Sequence, residues 1–322
     1  MSVSTYISFA ALTVILVCLD IWQTRGSHIT IRKAVLWSLF WFSLAFVFAV
    51  SIYHLWDIYA PDSNYTPQKA TISFITGYLL EKSLSVDNLF MFAVIFHQYN
   101  VPEHLRPRAL LWGVVGALLL RAIMIVLGSE LLSHYHWVMY LFAAFLIWTG
   151  FQLMGSSNEQ ETINPMPERL MRKVIPVTND FKGQMLFHQS KQGWVATPML
   201  VVIAVIAFMD VMFALDSIPA IFAVTQEPFL VLAANVFALL GLRSLYFVLQ
   251  GMMDKFIYLK PALSFIMLFI GVKMILVGSE WEIPTYISLF VLLGTMTVAV
   301  VCSLLKQRII RKNKLNQIKS IE

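Results

Sequence analysis

Eight formally charged residues fall well inside long apolar runs of this 322-residue sequence: Glu81, Lys82, Asp87, Arg121, Asp210, Asp216, Arg243 and Lys273, with Asp20 near the end of the first run. An acid or base at the centre of a bilayer-spanning helix costs about 2.5–3.5 kcal/mol on insertion scales, so such residues persist where they pair, line water or bind an ion. Two readings follow: the four acids bind a cation, or the acids and bases pair off and only hold helices together. Glu81 and Asp87 have the same spacing as Asp210 and Asp216. On one helix that spacing separates the carboxyl groups by about 9 Å along the axis and about 120° around it, so neither pair alone closes on a small ion. Asn88 and Ser217 add an amide and a hydroxyl beside them. A metal site drawn from Glu81, Asp87, Asn88, Asp210, Asp216 and Ser217 offers only oxygen, which favours Mg2+, Ca2+ or Mn2+ over copper and zinc. Lys82, Arg121, Arg243 and Lys273 would balance or gate it. With Asp20 set aside, in-span acids and bases cancel, so an arriving divalent ion must break internal pairs or displace protons. Cation/proton antiport is the expectation.

The elements that position these residues are membrane spans. The sequence is 59% hydrophobic and 13% charged, with mean hydropathy +0.74, whereas soluble domains carry about a quarter charged residues. Apolar runs near the roughly 20 residues a bilayer requires recur at 5–22, 34–54, 72–97, 108–127, 136–154, 198–222, 229–250, 261–277 and 284–304. The expected fold is all-α, a polytopic membrane protein of about nine transmembrane helices forming one transmembrane domain over 1–322. Cys18 and Cys302 lie in apolar runs and read as buried packing thiols. The first run has no basic residues before it and reads as a retained span. With the N-terminus outside, the cytoplasmic segments and the short entry to the fourth span hold 18 of the 23 Lys and Arg residues, including the basic tail, as the positive-inside rule requires. The basic pI of 9.1 therefore reports topology and contact with anionic lipid, and no nucleic-acid partner is expected.

Two halves flank a polar connector at 155–197, which Pro165, Pro167 and Pro176 break and which ends in a hairpin over Gln184–Ala196. Glu81, Asp87, Arg121 and Gly150 in 72–154 recur in order as Asp210, Asp216, Arg243 and Gly271 in 198–277. The local strings also match, "GALLLRAIMIVL" with "ALLGLRSLYFVL" and "LIWTGFQLM" with "LFIGVKMIL". The halves enter the membrane from opposite sides, so they read as two inverted three-helix repeats plus peripheral helices, with the site at their interface near the midplane. Inversion should set Glu81 level with Asp216 and Asp87 level with Asp210. Pro219 should unwind the sixth span and free carbonyls for the outer layer.

"GYLLEKSLSVDNLF", "DVMFALDSIPAIFAVT" and the following "LLGLRSLYF" closely resemble the TerC/Alx family of bacterial membrane proteins, and the likeness covers nearly the whole chain. The resemblance implies an inner-membrane protein of manganese export and homeostasis, with an alkaline-induced member and a historical link to tellurium resistance, inside a wider group that includes lysine exporters. It places Glu81, Asp87, Asp210 and Asp216 on the family's intramembrane acids, Mn2+ being cargo and no cofactor permanently bound. One position departs: Ala207 stands where relatives often carry a glutamate. The competing readings are export of another cation or organic amine, an accessory role in metal homeostasis or tellurium resistance with partner proteins unknown, and an intramembrane aspartyl protease. The last lacks the Gly-x-Gly-Asp pattern, and an enzyme is not expected.

Overall fold

Prolines mark where the apolar runs become helices. In the computed structural model, Thr66 caps α3 (Pro67–Gln98) by accepting a hydrogen bond from the Lys69 N–H at 3.2 Å, with Pro67 in the first turn. Pro198 and Pro228 open α6 (Pro198–Phe222) and α7 (Pro228–Leu239). A proline there gives up an N–H that has no helical partner and brings a helical φ. The other helices are α1 (Val3–Gln23), α2 (Ile31–Tyr59), α4 (Arg106–His134), α5 (Trp137–Gly155), α8 (Leu242–Gln250), α9 (Leu259–Ile275) and α10 (Thr285–Lys319). The structure describes residues 3–23, 30–61, 63–135, 137–155, 168–169, 172–173, 175–178, 181, 185–190, 193–250, 258–277 and 279–319; the side chains of Asp87 and Asp216 are outside that description.

Each of the nine predicted segments lies on a helix or, for 229–250, on the bent pair α7–α8. Among the described residues, α1, α2, α4, α6 and α10 are long and apolar enough to cross a membrane, and the bent pair makes six. Helix α3 is also long but carries Glu81, Lys82 and Asp87, and α5 and α9 are shorter apolar helices. The outer faces are hydrocarbon: Leu36 and Val47 of α2, Leu119 and Val126 of α4, and Phe290 and Val298 of α10 are all more than half exposed. Such faces suit lipid, and the chain is a multi-pass all-α membrane protein. Cys18 and Cys302 lie on this exposed surface, so the expectation that they are buried is corrected: the apolar neighbours that suggested a core face lipid instead.

Helix α3 runs through the middle, in contact with α2, α6, α7, α8 and α10. The connector's expected hairpin is present as β1 (Phe187–Ser190) antiparallel to β2 (Gly193–Ala196), while the turn at Lys191 and Gln192 lies outside the described residues. Thr197 ties it to the start of α6 by donating to the Met185 and Leu186 carbonyls.

Two local features differ from expectation or sharpen it. Helix α6 continues through Pro219 to Phe222; so close to the helix end, the missing N–H removes a bond without unwinding the turn. The break falls instead between α7 and α8, which bend by 41° at an extended Leu240 and a Gly241 with φ +75°. Only glycine adopts that φ without strain, and the Trp41 ring fills the space a β-carbon would need. Elsewhere, α5 and α9 cross at their glycines. A β-carbon on Gly150 would lie 2.9 Å from Leu268, and one on Gly271 would lie 2.6 Å from Ile147.

That crossing gives a contrast between two glycines. Gly271→Ala should lower the thermal midpoint of the detergent-solubilised protein through overpacking worth about 1–3 kcal/mol, partly offset by helix propensity. Gly294→Ala on α10, which meets nothing within 4 Å, should leave it unchanged or raise it.

Candidate functional site

The buried polar centre is built on Arg121, halfway along α4. It is 1% exposed and reaches three other helices. Its Nε and Nη2 donate to the Asp210 carboxylate of α6 at 3.2 and 3.1 Å, a two-point grip. Its Nη1 forms an ion pair with Glu81 Oε1 of α3. The same Nη1 donates to Asn235 Oδ1 of α7 at 3.0 Å and to Ser217 Oγ of α6 at 3.4 Å. All four partners are at most 2% exposed. Glu81 Oε2 and the Ser85 hydroxyl, one turn further along α3, have no hydrogen-bond partner among the described residues.

Helical spacing explains which residues share this face. Positions seven apart return to within about 20° on an α-helix, so Glu81 and Asn88 on α3, and Asp210 and Ser217 on α6, lie along one stripe each; all four are buried. The sequence paired residues six apart, and that choice obscured the shared face. It also assigned Glu81 and Asp210 to different layers, whereas both lie on one guanidinium, because a long arginine side chain spans the interval between them. The side chains of Asp87 and Asp216 fall outside the described residues. Asn235 was overlooked. Its signal was an amide alone in the apolar string "PFLVLAANVFAL", and its Nδ2 donates to Val231 O at 3.3 Å, which aims Oδ1 at Arg121.

Of the bases expected to balance these acids, only Arg121 does so among the described side chains. Arg243 instead grips Asp20 of α1 at 2.9 and 2.5 Å. Lys82 donates to two main-chain carbonyls, and the buried Lys273 ammonium has no hydrogen-bond partner among the described residues. Asp20, set aside in the sequence, is therefore a structural counter-ion. With both acids ionised, the Glu81–Arg121–Asp210 cluster carries one net negative charge surrounded by oxygens. Among the described residues no three His, Cys, Asp or Glu side chains converge as a ready-made metal cage; the centre of the cluster is held by arginine.

The profile of the integral membrane protein TerC family matches residues 66–314, a stretch that contains Glu81, Arg121, Asp210, Ser217 and Asn235. An uncharacterized membrane protein of Myxococcus xanthus is 41% identical over 305 residues, covering 93% of this chain and 92% of that protein. Alx of Escherichia coli (strain K12), whose name describes membrane-bound redox modulation, is 38% identical over 297 residues, 91% of this chain and 92% of its own. A tellurium resistance protein TerC of Serratia marcescens is 32% identical over 333 residues, 94% and 93% of the two chains. No solved structure matches the chain.

The cluster predicts a pronounced non-additivity. Arg121→Met strands two buried acids and should cost about 3–5 kcal/mol of stability. Adding Asp210→Asn should recover at least about 1 kcal/mol of that loss. Unfolding in mixed micelles measures both; a double variant equal to the sum of the singles would show that the pair is not coupled.

Proposed function

This chain belongs to the integral membrane protein TerC family, and on that premise we propose that it is a secondary transporter exporting divalent metal cations, Mn2+ foremost, from the bacterial cytoplasm in exchange for protons. The observation that carries the reading is the Arg121 cluster. Two carboxylates from different helices, a hydroxyl and an amide oxygen surround one buried positive charge. A divalent cation taking the guanidinium's place would match Glu81 and Asp210 charge for charge. The all-oxygen ligand set suits Mn2+, and Glu81 Oε2, which has no hydrogen-bond partner among the described residues, is an acceptor in waiting. In this reading Arg121 is a tethered cation that holds the site while cargo is absent, and loading of metal requires it to withdraw. Displacing a positive charge from two acids is the step at which proton exchange enters. The names of relatives, which speak of redox modulation and tellurium resistance, are compatible with a role in metal homeostasis.

Alternating access also needs two halves that rock against each other, and we read α3–α5 and α6–α9 as inverted repeats. Three pairs of facts support this. Arg121 draws on the matching acids Glu81 and Asp210. Gly150 packs on Leu268 as Gly271 packs on Ile147, three residues before the partner glycine in each case. Helix α3 packs on α7 as α6 packs on α4. The excess of Lys and Arg in alternate loops sets the N-terminus outside and the basic tail inside.

The test is total cell manganese after a Mn2+ challenge in an exporter-deficient host, at matched membrane abundance. Wild type should lower cell manganese, and Asp210→Asn or Glu81→Gln should cut the initial efflux rate about tenfold or more. In everted vesicles, inward Mn2+ movement should drive protons outward. Unchanged manganese with the wild type removes Mn2+ as cargo, and unchanged pH removes the antiport.

A further inference from the structure

A second buried positive charge sits on main-chain oxygens at the α7–α8 break. Lys82 is 6% exposed, and its Nζ donates to the Ala238 and Leu240 carbonyls at 2.9 and 3.1 Å. The Phe42 ring of α2 lies 5.3 Å from the ammonium. The extended Leu240 turns its own carbonyl out of helical register, and the break leaves the Ala238 carbonyl in the last turn of α7, which is how broken membrane helices present oxygens to ions. The end of α7 also carries the negative end of its helix dipole. Among the described side chains, no carboxylate touches Lys82 directly. Asp20 of α1 adds a favourable field, but its own bonds go to Arg243 and Gln23.

We propose that the α7–α8 break is a binding station for a monovalent cation, and that Lys82 is the protein's own occupant of it. Neutral carbonyl oxygens and an aromatic face suit one diffuse positive charge, whereas a divalent ion would call for a carboxylate, and the nearby one is committed to Arg243. Exchange of the ammonium for K+ or NH4+ leaves the local charge unchanged. Glu81 and Lys82 are neighbours on α3, so a movement of α3 that draws Glu81 from Arg121 also draws Lys82 from the break, and the station opens with the carboxylate site.

The experiment uses full-length protein purified in detergent with KCl present throughout, then exchanged at constant ionic strength into KCl, NH4Cl or choline chloride. In Lys82→Ala, K+ or NH4+ should raise the thermal midpoint by about 2–4 °C over choline. Wild type, plugged by its own ammonium, should show no such difference, nor should Lys82→Met, whose side chain fills the space with an apolar stem. Lys82→Ser provides the same comparison if the alanine variant is not recovered folded. A shift equal in choline, or none in whichever variant folds, overturns the proposal. Failure of both variants to fold even in KCl also overturns it, since no free cation then replaces the ammonium. The readout involves neither Mn2+ nor transport, so the proposal stands or falls separately from the export reading.

Discussion

A guanidinium that is 1% exposed inside a membrane bundle is tolerable only where nearly every N–H it carries meets an anionic or polar group. Arg121 satisfies this by drawing Glu81 from α3, Asp210 and Ser217 from α6 and Asn235 from α7. Four helices are therefore fixed around one side chain, and their relative heights in the membrane follow from its reach. Hydrophobic residues of similar volume would usually serve stability as well as a buried ion pair does. On the proposed export reading, the arrangement is a charge held ready in an interior that must at some stage accept another.

Neutralisation elsewhere in the bundle follows the same economy with different means. Arg243 occupies the position in the second half that Arg121 occupies in the first, yet its carboxylate comes from α1, through Asp20. Helices α1 and α2 lie before the stretch matched by the family profile, but they are not mere padding. Helix α1 supplies Asp20 and α2 supplies the Trp41 and Phe42 rings that back the α7–α8 bend. The two halves read as repeats are thus similar in sequence and unequal in charge, with one arginine inside the carboxylate cluster and the other held away from it.

Much of this was legible in the sequence because lipid enforces simple rules. Long apolar runs had to become helices, and each predicted segment did. Gly150 and Gly271, matched in the sequence only as a repeat feature, turned out to lie where α5 and α9 approach closely. What the sequence hid depended on three-dimensional reach. Asp20 looked peripheral because its run is the first. Asn235 was inconspicuous among apolar neighbours, and its importance comes only from facing Arg121. Pro219 drew attention as a helix breaker, while the actual break came from Gly241, whose positive φ is stabilised by a tryptophan from another helix. Spacing rules placed Glu81 and Asp210 in separate layers, but they could not include the length of an arginine side chain arriving from α4.

The adjacency of Glu81 and Lys82 ties these observations together. Consecutive helical residues project about 100° apart, so α3 directs an acid toward α4 and α6 and a base toward the α7–α8 bend from the same turn. A rigid helix cannot translate or rotate appreciably while keeping one of these contacts and losing the other. Both contacts are charged or charge-assisted and buried, so partial separation would leave a charge without a partner in a low-dielectric interior. Partly separated positions of α3 are therefore disfavoured relative to the engaged one. On the proposed export reading, release of α3 requires other cations or protons to satisfy the groups it leaves behind.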